Sequence, residues 1–271
     1  MVKDVLRVGW FSTGRGPGSR DLLRTVMERK LAGELDVEIP FVFCNWDNEE
    51  HHNPRREQRA EFFELVRGYG IPLVTLSWKN FRPELRDGDE ESWRREYGRE
   101  MRRLIGQDFD VGMLAGYMLW IDDETCRTYR LLNLHPALPD GPKGTWQEVI
   151  WKLIEDRADE QGAMIHVCTE EWDRGPAVSF CRFSLRQGDY PGLWRQAEAK
   201  ISSLGIEGIR QGEGVEEPLF KRIRRDGARR ELPLIVHTLK SIADGELDID
   251  DAGEPLDLSD VIDRQLEEGG P

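Results

Sequence analysis

Apolar positions in the first 150 residues alternate between two kinds of spacing. Val5–Phe11, Val37–Asn45, Pro72–Ser77 and Val111–Gly116 are short, near-continuous apolar runs bounded by turn residues, the pattern of strands buried on both faces. Between them apolar residues recur at helical spacing. Leu22, Leu23, Val26, Met27 and Leu31 follow the first run, with Ser19 as the expected N-cap. Phe62, Phe63 and Val66 line a helix from about Pro54 to Tyr69, and Trp93, Tyr97, Met101, Leu104 and Ile105 form a stripe after a charged connector at Asp87–Glu91. A fifth strand starts at Leu131 after a short helix, and Trp146, Val149, Ile150, Leu153 and Ile154 mark another helix after Gly144. This alternation predicts a three-layer, Rossmann-like α/β fold on a mainly parallel sheet.

The pattern changes after residue 160. Ala163–Thr169 and Ala177–Leu185 read as strands joined by a short turn-rich link, Glu170–Pro176, which predicts a C-terminal antiparallel hairpin extension. Residues 186–218 are punctuated by Gly188, Pro191, Gly205, Gly208, Gly212 and Gly214 and read as an irregular insertion. A basic run from Lys221 to Arg230 reads as a solvated helix face, Leu232–Ala243 as a helix, and residues 219–247 together as a helical segment completing the domain. From Glu246 onward there are ten acidic residues and one basic residue, Arg264, so residues 248–271 are expected to be a loosely held acidic tail. The catalytic unit is expected within residues 1–185.

Charge and cysteine usage narrow the function classes. A formal net charge of −14 over 271 residues argues against nucleic acid as a partner. No apolar run reaches the ~18 residues of a membrane span, and Lys3, Asp4 and Arg7 make a signal peptide unexpected. Cys44, Cys126, Cys168 and Cys181 show no C-x-x-C spacing. They read as buried free thiols in a reducing, cytoplasmic compartment.

The candidate chemistry gathers around Leu131–Pro139. Asn133 and His135 stand two residues apart, hence on one face of a strand. Pro136 ends the ladder because it has no N–H. An amide and an imidazole then point together at the carboxyl end of a strand, where open α/β sheets bind ligands. Asp173, in the hairpin link, can converge on the same edge. Amide and imidazole suit an oxyanion, and a carboxylate suits movement of a proton from an attacking amine. No serine or cysteine is placed as a nucleophile in this set, so direct acyl transfer is the expected class. A structural histidine at a strand end is the plainer alternative for His135. Gly14, Gly16, Gly18 and Ser19 lie between the first strand and helix, where free N–H groups attract anions. Their spacing is neither G-x-G-x-x-G nor a P-loop, and a tight turn is the alternative there. His51-His52 have no ligand-spaced companions, so no metal site is expected.

With these residues in hand, the sequence resembles the folate-dependent formyltransferases, nearest to their glycinamide ribonucleotide branch. Asn133-Leu134-His135-Pro136-Ala137-Leu138 is similar to the family's Asn-x-His-Pro-Ser-Leu, and Ala115-Gly116-Tyr117-Met118 to its Ala-Gly-Phe/Tyr-Met strand end. Gly162-x-x-x-His166 followed by Asp173-x-Gly175-Pro176 is similar to its hairpin. The resemblance covers roughly Leu6 to Leu185, with a weaker echo in Leu232–Leu247. It implies the formyltransferase fold, with an acceptor-binding N-terminal half and a folate-binding C-terminal half. It implies 10-formyltetrahydrofolate as formyl donor, small-molecule substrates as partners, and allows a homodimer. By resemblance, Asn133 and His135 hold the formyl oxygen and Asp173 shuttles the proton and holds His135. Met118, Leu119, Trp120, Ile121, Thr169 and Glu170 contact the pterin. Arg94 lies near the folate tail or acceptor, and Gly14, Gly16, Gly18 and Ser19 take the acceptor phosphate.

The departures concern the acceptor. Arg15, Pro17 and Arg20 alter the first loop, Ala137 replaces a serine, and Ala228 stands near the place of a ribose-binding glutamate, with Glu231 close by. The acceptor is therefore open between glycinamide ribonucleotide, another phosphorylated amine and an amino sugar. Hydrolysis of the donor on the same scaffold is the near rival. A nicotinamide-dependent oxidoreductase is the rival from another class, and the glycine spacing argues against it. A non-catalytic binding relative would not need Asn133, His135 and Asp173 together.

Overall fold

The computed structural model describes residues 5–47, 55–171, 174–250 and 253–269. The chain enters through β1 (Leu6–Ser12) and turns into α1 (Pro17–Leu31). Proline favours the first helical position because its fixed φ suits the turn and its missing N–H costs nothing there. Helix α1 accordingly starts at Pro17 on Gly16, and Ser19 lies inside the first turn rather than capping it. The second expected strand is two short ones, β2 (Val37–Glu38) and β3 (Val42–Cys44). Pro40 lies between them and cannot donate to the ladder. Next come α2 (Arg56–Gly68) and β4 (Leu73–Thr75). The expected charged connector falls on two helices, α3 (Pro83–Gly88) and α4 (Glu90–Ile105). They are separated by Asp89, whose carboxylate accepts from the Ser92 N–H at 3.0 Å. The strand β5 (Val111–Leu114), helix α5 (Asp123–Thr128) and strand β6 (Leu131–His135) complete the parallel part. Helix α6 (Trp146–Glu155) opens on a capping box between Thr145 and Glu148. The hairpin follows as β7 (Glu160–Val167) and β8 (Ala177–Ser184).

Beyond residue 185 the chain is more regular than its punctuation suggests. Residues 190–212 form α7 (Tyr190–Gly212), with one non-helical break at Gly205. Tyr190, Trp194, Ala197 and Ile209 bury this helix in an apolar cluster shared with α6 and the start of α8, so the expected irregular insertion is a packed helix. A short 3-10 turn at Gly214–Glu216 leads to α8 (Pro218–Asp244), which runs unbroken through the basic cluster and past Pro233. The basic cluster is not simply solvated: Arg222 pairs with Asp226 at 2.6 Å and Arg230 with Asp263 at 2.7 Å. The acidic end is held as well. Strand β9 (Leu256–Asp257) pairs in parallel with β8, and α9 (Ser259–Glu267) buries Ile262 completely. Acidic composition lowers hydrophobicity on average, yet a few apolar residues at helical spacing suffice to dock a short helix.

The strands form one sheet in the order β4-β3-β1-β5-β6-β7-β8-β9, with β2 beside β1. It is parallel from β4 to β6 and antiparallel across β6/β7 and β7/β8. Alternate strand residues serve opposite faces. Val8, Trp10 and Met113 pack with α1, α2 and α8, while Phe11, Phe43 and Leu114 pack with α4. Burying each such side chain stabilises by about 1.5–3 kcal/mol. β1 pairs with β3 on one side and β5 on the other. The order reverses there, so the loops leaving β1 and β5 open a crevice at the carboxyl edge. Among the described residues no helix is long and apolar enough to cross a membrane.

Candidate active site

The crevice is built by three strand ends. The loops after β1 and β5 are stitched together through Thr13: its N–H donates to Gly116 O at 3.1 Å, and its Oγ1 accepts from the Met118 N–H at 2.9 Å. Gly116 has φ +69°, and a Cβ there would lie 3.3 Å from Ser19 Oγ, so a side chain would strain this junction. From it, Tyr117 to Ile121 run along one wall of a cleft. Leu114, Tyr117, Leu119, Trp120 and Ile121 give that wall an apolar and aromatic lining. Asn133, His166, Cys168, Thr169 and Glu171 form the opposite, more polar wall. An aromatic slot with hydrogen-bonding groups on one side is the general form of a small-molecule site.

Asn133 sits at the inner end. Its backbone pairs with Leu114 of β5 and His166 of β7. Asn133 Nδ2 lies 3.1 Å from His166 Nε2, and His166 Nδ1 lies 2.9 Å from Val167 O. A carbonyl only accepts, so Nδ1 carries the proton and Nε2 accepts from the Asn133 amide. That bond fixes which way the amide faces. His166 thus positions Asn133, a role the sequence signals only through the Gly162-x-x-x-His166 spacing.

His135 shares the face but is not on the cleft lining. It is 3% exposed, and its Nε2 donates to Pro142 O at 3.2 Å. Its ring stands edge-on to His166, with centroids 6.2 Å apart. The loop after β6 is held against the sheet by Gln161 Nε2 donating to Pro136 O at 2.8 Å. Asp173 lies outside the described residues, as does the His51-His52 pair.

The other expected residues divide. Leu119, Trp120, Ile121 and Thr169 line the cleft, whereas Met118 is 43% exposed and acts through its backbone. Glu170 turns away to pair with Arg127 at 2.8 Å, and Glu171 lines the cleft instead. The Arg94 guanidinium lies 4.5 Å over the Trp120 ring while paired with Glu90 at 3.1 Å. The wall is anchored below by Asp122, which caps α5 and pairs with Arg102 at 3.0 Å. Gly98 makes room for that carboxylate, since a Cβ there would lie 1.6 Å from Asp122 Oδ2.

The glycine loop forms a separate lobe across the Thr13 junction. Gly14 needs its positive φ of 62° and would meet Phe62 at 2.9 Å with a Cβ. Gly16 caps α1 in extended backbone, Gly18 faces open space, and Ser19 is buried. The sequence marks Arg15 only as a departure and gives no sign of its neighbours. Arg55 donates to Arg15 O at 3.3 Å, and the buried Arg59 donates to Thr13 O at 3.3 Å and stacks 4.5 Å over Trp46. Burial, then the charge of Arg55, pulls the Arg15 guanidinium below its ordinary pKa. Like charges gathered at a helix start relax when an anion joins them. Among the described residues no group of three histidine, cysteine or carboxylate side chains is placed to hold a metal.

Comparison with known proteins points the same way. The family model described as formyl transferase matches residues 16–187, well over half of the chain. The phosphoribosylglycinamide formyltransferase of Escherichia coli (strain K12) is 32% identical over 99 residues, 35% of this chain. That stretch is 46% of the relative, so less than half of its length is spanned. Two solved structures share the fold. The phosphoribosylglycinamide formyltransferase of Coxiella burnetii superposes with a TM-score of 0.60 at 17% identity, over 89% of each chain. A formyltetrahydrofolate deformylase from Pseudomonas syringae pv. tomato superposes with a TM-score of 0.58 at 20% identity, over 89% of this chain and 62% of the other.

Proposed function

The chain belongs to the formyl transferase family, and from that premise we propose that it moves a formyl group from 10-formyltetrahydrofolate to the amine of a phosphorylated acceptor, of the glycinamide ribonucleotide kind. The observation that carries this reading is an adjacency: an aromatic cleft and an arginine-flanked helix start meet at one sheet edge, joined through Thr13. The aromatic wall suits a flat pterin ring and its polar wall the ring's hydrogen-bonding edge. The other lobe suits a phosphate. Arg94, outside Trp120, is placed for a carboxylate tail on the donor.

The donor supplies the formyl carbon. The acceptor amine attacks it, and negative charge gathers on the formyl oxygen. Asn133 donates an N–H toward that oxygen from an amide oriented by His166. His135, behind the lining, steadies the loop after β6 through Pro142 O. Asp173 takes the proton from the attacking nitrogen and returns it to N10 of the folate as the carbon–nitrogen bond breaks. No acyl-enzyme forms, so transfer is direct.

Spectrophotometric turnover of 10-formyltetrahydrofolate with and without glycinamide ribonucleotide tests the reading, with Asp173→Asn as control. Turnover that requires the ribonucleotide and disappears in the variant is expected. Turnover with water alone makes the protein a hydrolase of the donor, in the manner of a formyltetrahydrofolate deformylase such as the Pseudomonas protein. An active Asp173→Asn variant overturns the proton-shuttle role.

A further inference from the structure

Four cysteines are present, and they fall into two classes. Cys44 and Cys181 are buried, and burial pushes both thiols up to about 12. Cys126 and Cys168 are half-buried and face one another, Sγ to Sγ at 3.8 Å, although 42 positions apart in sequence. Cys126 is on α5 and packs against the apolar cluster that includes Tyr117 and Ile121. Cys168 follows β7 and lines the cleft itself. A second pair ties the same two segments close by, Arg127 to Glu170 at 2.8 Å.

We propose that Cys126 and Cys168 are a thiol–disulfide modification site, oxidised by low-molecular-weight disulfides, which closes the neighbouring cleft. Forming an S–S bond of about 2.05 Å requires the sulfurs to approach by roughly 1.8 Å from their present separation. Which side moves follows from the anchoring. Helix α5 is fixed at its start by Asp122, which is buried, paired with Arg102 and fitted against Gly98. The segment from Cys168 to Glu171 runs out to the surface, where Glu170 and Glu171 are exposed, and its ties include the Cys168 N–H to Leu131 O and the Glu170 pair. The cross-link therefore draws residues 168–171 toward the Tyr117–Ile121 wall. Thr169 and Glu171 move with it.

The chemistry balances by exchange. The partnership with Cys168, then burial, holds the Cys126 thiol far above its ordinary value. Cys168 lines the cleft, where a small disulfide reaches it, so attack starts from Cys168, whose thiolate takes one sulfur of the small disulfide and releases one small thiolate. The Cys126 sulfur then displaces the second small thiolate, and the protein disulfide forms. The two protons and two electrons lost by the cysteines end on the two released thiols. Reduction runs the same steps backward. A cross-link of this kind in a reducing compartment is regulatory rather than structural.

The consequence for activity rests on the proposed function; the modification does not. The test treats the full-length protein with oxidised glutathione and maps disulfides by mass spectrometry, with hydrogen exchange at residues 169–171 as a ligand-free measure of closure. The expected result is a Cys126–Cys168 cross-link and slower exchange at 169–171. Binding of 5-formyltetrahydrofolate is expected to weaken about tenfold, with recovery in dithiothreitol. Cys126→Ser and Cys126→Ala are expected to keep the affinity of the reduced protein and to lose all sensitivity to oxidation. Glutathione carried on a single cysteine with no cross-link overturns the proposal. So does a cross-link that leaves both exchange and folate affinity unchanged. If the reduced protein binds no folate, the functional reading fails, while the cross-link and exchange data still decide the modification site.

Discussion

The two lobes of the crevice select by different physics. The cleft along Tyr117–Ile121 offers apolar and aromatic area, with polar groups confined to one side. Such a surface discriminates by shape and desolvation, and salt scarcely affects it. The lobe at Gly14–Ser19 offers a helix start and the side chains of Arg15 and Arg55, with the buried Arg59 behind them. It discriminates by charge, and ions in solution compete with it. The lobes meet at Thr13, so each can change its ligand without rebuilding the other. A scaffold divided this way can keep one donor and alter its acceptor by substitutions in a single loop. That matches the sequence, in which the departures from the family pattern cluster on the acceptor side.

Asn133 lies on the polar wall of the cleft, and its removal has the largest expected effect. Asn133→Ala is expected to lower kcat by about 10²–10³, the measured cost of losing one oxyanion donor, with little change in the dissociation constant for folate. Equal losses in both would show that the residue serves binding and not the chemical step. Next is Arg15→Gln, expected to raise the acceptor KM about tenfold, from the loss of a charge-assisted hydrogen bond. Its donor KM is expected to be unchanged, and the salt dependence of the acceptor KM should flatten. A shift in the donor KM would dissolve the division between lobes. The smallest effect belongs to Trp120→Leu, which keeps apolar bulk but loses ring stacking. The donor KM is expected to rise roughly three- to tenfold, by the same factor at low and high salt. A strong salt dependence there would mean that Arg94, and not the ring face, holds the ligand.

How much of this was legible in the sequence varied along the chain. Strands β1, β5 and β6 were plain because apolar runs ending in glycine or proline leave few other options. Leu131–His135 fell where expected, with Asn133 and His135 on one face. The parallel half followed from strand–helix alternation, and the hairpin from its short link. Punctuation misled elsewhere. Gly188, Gly205, Gly208, Gly212 and Gly214 suggested irregular chain, yet only Gly205 breaks the helix, at φ 70° and ψ 163°. What holds α7 is long-range burial of Trp194 and Ile209, which local propensity does not report. The reading of a helix over Leu232–Ala243 was too short, because packing keeps α8 continuous from Pro218 through Pro233 to Asp244. In the site, the hydrogen-bond partners were the illegible part. That His166 orients Asn133, and that Glu171 replaces Glu170 on the cleft, depends on cross-strand register and a bulge near residues 165 and 166.

The two-residue strand β9 has a bearing on solubility. Without it, β8 would present an open edge of unpaired N–H and C=O groups along a run that includes Val178, Phe180 and Phe183. Open edges of that kind recruit strands from other molecules. Strand β9 covers part of the edge, is too short to extend the sheet further, and carries Pro255 before it and Asp257 within it. The acidic composition of this stretch, which reads as a sign of looseness, works as a guard rail. It ends the sheet in a short, charged, proline-flanked border on which a second copy finds little to pair with.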